Sequence, residues 1–201
     1  MDLNTPEYWD DVYRDEWERG ELEGGRRDYG PIHDAIVELV PPGSCVLDVA
    51  CGLGLLCRKI AERRAEAAVV GVDFSGYTIE RNRERDRRLP IEYLQLDVRT
   101  ELPSLRREFD VVTMCEIVEH LAEPERVVEE AMGLLRPGGV FVLTCPHDDE
   151  IEDPEHLRLW GHDEVFHLLA PYGDRVTFVH FPPPYYDGWL MAYLTKRQSS
   201  R

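Results

Sequence analysis

The stretch V-L-D-V-A-C-G-L-G-L-L at residues 46–56 decides which fold this chain is expected to adopt. Its first residues are apolar and mostly β-branched around one acid, which is typical of a strand buried on both faces of a parallel sheet. Gly52 and Gly54 then allow a tight turn and a close approach of the backbone to a ligand. A helix is predicted over 55–64, with its N-terminal N–H groups directed at that ligand.

The acid in this stretch, Asp48, limits the kind of ligand. A dinucleotide-binding turn has the spacing G-x-G-x-x-G, but here Cys57 stands at the third glycine position. A carboxylate about 6 Å from a phosphate would cost about 3 kcal/mol at an effective dielectric constant of about 20. An adenosine ligand with a cationic amino-acid end would instead be attracted. S-adenosylmethionine carries an ammonium and a sulfonium and has no phosphate.

Two further strands are predicted to end in an acid. The apolar run at 68–72 is followed by Asp73, which would lie beside the first turn and accept two hydrogen bonds from a ribose diol. Hydrogen bonds to a charged group contribute about 1.5–3 kcal/mol. The run at 91–96 is followed by Asp97. Three successive strands that finish in an acid are the most specific pattern in the chain.

With Ala50 in place of the first glycine, the stretch at 46–56 resembles motif I of the class I S-adenosylmethionine-dependent methyltransferases. The segment L-L-R-P-G-G-V-F-V-L at 134–143 is similar to the one that leads into the fifth strand of that family. The resemblance implies an α/β, Rossmann-like fold. Its seven-stranded sheet would be mostly parallel, with an antiparallel last strand and helices on both faces. The runs at 176–181 and 189–195 are expected to form the hairpin at its edge.

The resemblance also implies S-adenosyl-L-methionine as the cofactor and gives roles to individual residues. The turn would hold the methionine half, Asp73 the ribose, and the end of the third strand the adenine amine and a ring nitrogen. The expected cofactor-binding residues are Tyr13, Asp48, Ala50, Gly52, Gly54, Asp73, Phe74, Asp97, Val98 and Cys115.

Residues 1–30 are expected to form an N-terminal aromatic segment, followed by the methyltransferase domain at 31–201. Thr5 and Pro6 are suited to begin a helix. Trp9, Tyr13 and Trp17 recur every four residues and would share one face of it. This stripe either packs on the domain or forms a lid over the cofactor, because related methyltransferases often begin with a similar Y-W-D-x-x-Y segment.

Glu116, Glu119 and His120 follow the predicted strand at 109–114 and would share one face of a helix. His120 is the candidate catalytic base, because an imidazole changes charge near neutral pH, and Glu119 would orient it. The spelling E-x-x-E-H also resembles ubiquinone-biosynthesis O-methyltransferases and small-RNA 3′-end 2′-O-methyltransferases, where two acids and a histidine hold a divalent ion. The further histidine of the RNA enzymes would be His147 or His156. No metal is assigned, and metal binding stays open.

Composition narrows the choice of partners. The chain of 201 residues suits one domain and has 23 Lys and Arg against 40 Asp and Glu, a formal charge of −17. Nucleic acid and anionic membranes would be repelled by most of such a surface. The arginine-rich run at 80–88 has interleaved acids and is expected to be a solvated helix face.

The five cysteines lack a C-x-x-C pair and suit reduced thiols in a cytoplasmic protein. The N-terminus lacks the pattern of a secretion signal, and no apolar run approaches the 18 or so residues of a membrane span.

These patterns together predict methyl transfer from S-adenosylmethionine to an oxygen or nitrogen of a small molecule, by a monomer or homodimer. The alternatives are a metal-assisted RNA 2′-O-methyltransferase and a non-catalytic protein that binds S-adenosylmethionine and acts on a partner. An NAD-dependent dehydrogenase is a third, remote interpretation.

Overall fold

The computed structural model describes residues 3–20, 29–147, 154–181 and 189–198. Seven strands of these residues form one sheet. The strands are β1 (Cys45–Val49), β2 (Ala68–Asp73), β3 (Ile91–Gln95), β4 (Phe109–Cys115), β5 (Leu135–Pro146), β6 (Thr177–Phe181) and β7 (Trp189–Thr195). The helices are α1 (Pro6–Glu18), α2 (Gly30–Glu38), α3 (Leu55–Arg63), α4 (Gly76–Arg85), α5 (Pro124–Leu134) and α6 (His162–Leu169).

The strand order is β3-β2-β1-β4-β5-β7-β6. Strands β1 to β5 pair in parallel, whereas β7 pairs antiparallel with both β5 and β6. This confirms the predicted seven-stranded, mostly parallel sheet with an antiparallel last strand. The order reverses between β1 and β4, and open α/β sheets bind their ligands at such a point, beyond the carboxyl ends of the strands.

Both faces of the sheet are buried, as the sequence of β1 predicts. Val46 packs in one apolar cluster with Ile36 and Ile60 from α2 and α3. The next residue, Leu47, packs in a second cluster on the other face, which includes Val128 from α5. Successive side chains of a strand point to opposite faces, so β1 is held rigidly in the centre and its carboxyl end is a fixed platform for the turn that follows.

The start of β5 differs from the prediction. The glycine turn before the predicted strand at 140–144 lies inside β5, which pairs Leu135 with Phe109 and then, after a register shift, Val140 with Val111. A proline and two glycines there add residues to β5 with no counterpart in β4. The pairing of the two strands is therefore interrupted and resumes in a shifted register.

The arginine-rich helix face is only partly solvated. Arg81 is 46% exposed and pairs with Glu84. By contrast, Arg83 donates to the carbonyl oxygen of Tyr93 at 2.9 and 2.6 Å, and Arg85 donates to that of Leu53 at 2.9 Å. Arg83 is exposed, so the prediction of a solvated face is wrong only for the partly buried Arg85. The two arginines tie α4 to β3 and to the glycine turn.

The five cysteines all lie in the described residues and form no disulfide with one another. No helix of the described ranges is both long and apolar enough to cross a membrane. Parts of three predicted loops fall outside the described residues, namely most of 21–30, the connection 182–188, and 148–153 of the acidic loop that begins at Pro146.

Candidate functional site

The turn after β1 has a left-handed backbone at three positions. The φ angles are 57° at Ala50, 48° at Gly52 and 68° at Gly54, where α3 begins. A Cβ atom on Gly54 would lie 2.6 Å from the Tyr93 hydroxyl oxygen and 2.9 Å from Asn82 Nδ2. The neighbours that exclude a side chain at this glycine are therefore buried protein residues beneath the turn, and the expected approach to a ligand stays a prediction. Ala50 adopts its angle at a cost, because a left-handed residue other than glycine is strained by about 1–2 kcal/mol.

Asp48 lies buried under this turn and is 3% exposed. Thr113 Oγ1 donates to Oδ1 at 2.7 Å, and Cys57 Sγ lies 3.2 Å from Oδ2. Burial raises the pKa of Asp48 to about 6, and these two hydrogen bonds oppose the rise. The residue at the third glycine position, Cys57, thus supports the acid that distinguishes this turn from a dinucleotide-binding one.

Asp73 lies at the end of β2 directly beside the turn and is 2% exposed. Its Oδ2 accepts from the Gly52 N–H and its Oδ1 from the Ser75 N–H, each at 2.9 Å. Burial raises its pKa to about 6 as well, although the two backbone hydrogen bonds favour the ionised form. No lysine or arginine among the described residues forms an ion pair with Asp48 or Asp73. Two buried carboxyl groups without a cation favour a ligand that brings one.

The end of β3 has a different environment. Asp97 accepts from the backbone N–H and the guanidinium of Arg99 at 2.8–3.2 Å, and this partner lowers its pKa. The Arg99 guanidinium also lies 5.3 Å from the ring centroid of Phe74, and Val98 is buried. The residues expected around adenine therefore form one group, in which Arg99 was not anticipated. The sequence could have indicated this ion pair, because an arginine two residues after an acid can reach its carboxylate.

Helix α1 covers the turn and the ends of β2 and β4. Tyr13 lies against Gly52, where a Cβ atom would be 3.0 Å from its hydroxyl oxygen. Asp10 accepts from the Ser75 hydroxyl and, at 3.2 Å, from the Tyr77 N–H at the start of α4. Trp9 packs edge-on to His120, with 5.1 Å between the ring centroids. The predicted aromatic face therefore packs on the domain at the ligand-binding edge, and Asp10 is the anchor that sequence reasoning missed.

The residues after β4 form a second group, and only part of it agrees with the expected helical face. Glu116 has a left-handed backbone (φ 52°) and accepts from Thr144 Oγ1 at 2.8 Å. A short 3-10 turn follows at Val118–His120. Because the segment is not an α-helix, Glu116 is turned toward β5, and the expectation that all three residues share a helix face is wrong.

Glu119 and His120 do lie together. Glu119 is 2% exposed, and its Oε1 is 3.8 Å from His120 Nε2. His120 Nδ1 lies 3.3 Å from the carbonyl oxygen of Glu155. His156 joins the pair, with 5.0 Å between its ring centroid and that of His120. One ligand atom from each of Glu119, His120 and His156 lies within 4.8 Å of the others, so these three could hold a metal ion.

Cys115 lies at the end of β4 between the two groups. Burial raises the pKa of its thiol well above the ordinary value, and the nearby Asp48 raises it further. It is therefore a neutral, weakly polar wall of the site and not a nucleophile.

Comparison with known proteins supports the resemblance to methyltransferases found in the sequence. Residues 47–143 match the family described as a methyltransferase domain. The chain contains a methyltransferase domain over these residues. Among curated relatives, a ubiquinone biosynthesis O-methyltransferase of Coxiella burnetii (strain Dugway 5J108-111) is 36% identical over 143 residues, which are 69% of this chain and 58% of the relative. One of Salmonella arizonae is 33% identical over 103 residues, 51% of this chain and 43% of the relative. The chain thus spans about half the length of the curated relatives it matches.

Solved structures agree on the fold. The N-methyltransferase NodS from Bradyrhizobium japonicum, in complex with S-adenosyl-L-homocysteine, aligns with a TM-score of 0.68 and 19% identity, covering 84% of this chain and 87% of NodS. The [4+2]-cyclase SpnF aligns with a TM-score of 0.70 and 17% identity, covering 83% of this chain and 80% of SpnF. A cyclase among these neighbours shows that the methyltransferase fold does not define the reaction.

The cofactor of this methyltransferase family is S-adenosylmethionine, and the residues beyond β1 to β3 fit it. The two buried carboxyl groups, Asp48 and Asp73, lack a cationic protein partner among the described residues. An ammonium and a sulfonium supply the missing positive charge, whereas a phosphate would add to the repulsion.

Proposed function

We propose that this methyltransferase transfers the methyl group of S-adenosylmethionine to an oxygen or nitrogen atom of a small molecule. The observation that carries the proposal is the position of His120, which lies beyond the end of β4, next to β1 and its turn in the sheet. The acceptor would therefore be bound on the side of the cofactor that faces β4, under the aromatic face of α1.

The cofactor supplies a methyl group that its sulfonium already activates. The protein residues then have two tasks, to align the acceptor and to take its proton. Alignment of two reactants in a site can contribute about 7–11 kcal/mol to the lowering of the barrier. Trp9 packs on His120 and Glu119 is buried beside it, so we expect these residues to restrict the approach of the acceptor.

The contact of His120 Nδ1 favours the tautomer that carries the hydrogen on this nitrogen. When Nδ1 carries the hydrogen, it donates to the carbonyl oxygen of Glu155, which can only accept. The lone pair is then on Nε2, which would remove the proton of an acceptor hydroxyl. Glu119, 3.8 Å from Nε2, stabilises the imidazolium that forms. This arrangement supports an acceptor that holds its proton at neutral pH, such as a hydroxyl group.

A second candidate is metal-assisted transfer, favoured by the meeting of Glu119, His120 and His156. Carboxylate and imidazole ligands suit manganese or magnesium, and such an ion would polarise an acceptor oxygen. His156 would be the further histidine expected from the sequence, because His147 lies elsewhere. RNA as the acceptor is disfavoured by the charge of −17.

The test is transfer of labelled methyl from S-adenosylmethionine to separate small-metabolite and RNA fractions, with and without a chelator. We expect label in the metabolite fraction, lost in His120→Gln and retained in His167→Gln, which changes an exposed histidine of α6. Label in RNA that disappears with the chelator or with Glu119→Gln would establish the second candidate. Cofactor binding without transfer to either fraction would favour a non-catalytic partner protein.

A further inference from the structure

Three histidines meet beyond β5 and β6, in the half of the sheet away from the cofactor turn and apart from the His120 site. His147 follows β5, His162 is the first residue of α6, and His180 lies on the edge strand β6. They are three of the seven histidines in the chain. The methyl transfer proposed above uses none of them.

The three rings face one another. The centroids of His147 and His162 are 4.9 Å apart, those of His162 and His180 4.5 Å, and those of His147 and His180 5.5 Å. His147 Nε2 lies 3.1 Å from His162 Nδ1, and His162 Nε2 lies 2.6 Å from His180 Nε2. Ring nitrogens of neighbouring histidines therefore face each other in two of the three pairs.

Each of these contacts includes a nitrogen that can act as an acceptor. A single hydrogen can occupy each N···N contact, since one nitrogen must donate and the other accept. Neutral imidazole is the form that binds a metal ion. Imidazole nitrogens favour zinc, copper or nickel and give no advantage to calcium or magnesium.

We propose that His147, His162 and His180 bind one divalent transition-metal ion of the zinc class. Tetrahedral zinc with bonds of about 2.0–2.1 Å to nitrogen would place two ligating nitrogens about 3.3 Å apart and the ring centroids about 5 Å apart. The distance between His147 Nε2 and His162 Nδ1 is 3.1 Å, close to the nitrogen separation in a zinc site. The three centroid distances are 4.5–5.5 Å, on either side of the centroid separation in such a site.

One adjustment completes the site. The His162 ring offers one nitrogen to His147 and the other to His180, whereas a single ion takes only one nitrogen of each ring. The ring of His180 is free to turn toward the ion, because this residue is exposed and β6 is the edge of the sheet. A water molecule would take the fourth position, as in other sites with three protein ligands. The ion would tie the end of β5 and the start of α6 to the edge strand.

The experiment measures Zn²⁺ binding to protein without a histidine tag, stripped with EDTA, by competition with a chromophoric chelator. The His120→Ala background removes the Glu119, His120 and His156 group, so that only the proposed site is read. We expect one equivalent of Zn²⁺, bound on the order of 100-fold more weakly after His162→Gln. His167→Gln, on the same helix and outside the cluster, should leave the affinity unchanged.

A second variant and a spectroscopic measurement guard against a folding defect. His180→Gln changes an exposed residue and should weaken Zn²⁺ binding with the far-ultraviolet circular dichroism unchanged. Co²⁺ should give the intense visible absorption of a tetrahedral site in the background protein and lose it in both variants. Equal Zn²⁺ affinity in His162→Gln and His167→Gln, or no Zn²⁺ retained at micromolar concentrations in the background protein, would overturn the proposal.

Discussion

The two halves of the sheet edge are built in different ways. Beyond β1 to β3, the expected acids lie at the ends of their own strands. Asp73 and Asp97 accept from residues two positions further along the chain, although Asp48 accepts from Thr113 in β4. Beyond β4, the contacts join more distant residues, such as His120 with Glu155. The comparison teaches that the acids proposed to hold the methyl donor are placed mainly by their own strands, whereas the proposed acceptor side depends on how distant segments pack.

The largest expected effect tests the local character of the cofactor half. Gly54→Ala would force a Cβ to within 2.6 Å of the Tyr93 hydroxyl oxygen in a left-handed conformation, at a cost of about 2–5 kcal/mol in the free energy of unfolding. Gly43→Ala is the matched control, because Gly43 has φ +72° with nothing within 4 Å and should lose only about 1–2 kcal/mol. Urea denaturation measures both, and equal losses would show that the turn is not tightly packed.

The next effect tests the acceptor half. His120→Gln removes the proposed base and should lower kcat by a factor on the order of 100. The dissociation constant of S-adenosylhomocysteine should change little, because His120 belongs to the half beyond β4. Turnover and calorimetry with the same preparation separate the two quantities. A loss of cofactor affinity as large as the loss of kcat would mean that the halves are not independent.

A smaller effect concerns pH. Burial raises the pKa of Asp48 and Asp73 to about 6, so each becomes protonated as the pH falls below that value. A cationic ligand prefers the ionised form, so the affinity for S-adenosylmethionine should fall by about 10-fold per group from pH 7 to pH 5. Titration calorimetry at constant ionic strength measures this slope. In Asp48→Asn the logarithm of the affinity should change with pH about half as steeply. An unchanged slope would show that Asp48 does not interact with the positive charge of the cofactor.

The smallest effect concerns adenine. If Asp97 accepts from the exocyclic amine, an inosine analogue of S-adenosylhomocysteine, which has an oxygen there, should bind about 10-fold more weakly. Asp97→Asn should reduce that preference, and competition calorimetry with the two nucleosides measures it. The ion pair with Arg99 gives a competing outcome. If the preference survives in Asp97→Asn, the carboxylate serves only to position Arg99 beside Phe74.

The sequence predicted much of this molecule because its signals are local. The short apolar runs and the acids that follow them predicted the parallel sheet, and the two glycines predicted a turn that the structure shows with positive φ angles. The errors occurred where local pattern was ambiguous. An E-x-x-E-H segment reads as a helix, but Glu116 adopts a left-handed conformation that ends any helical face.

By itself, then, the sequence determined the sheet, its turn and the acids at its edge, since strand periodicity and glycine conformation depend on neighbouring residues. Only the tertiary structure decided that His156, and not His147, joins Glu119 and His120, and that His147 joins His162 and His180. The physical reason is that such contacts are set by the path of the chain between packed elements, which no local pattern encodes.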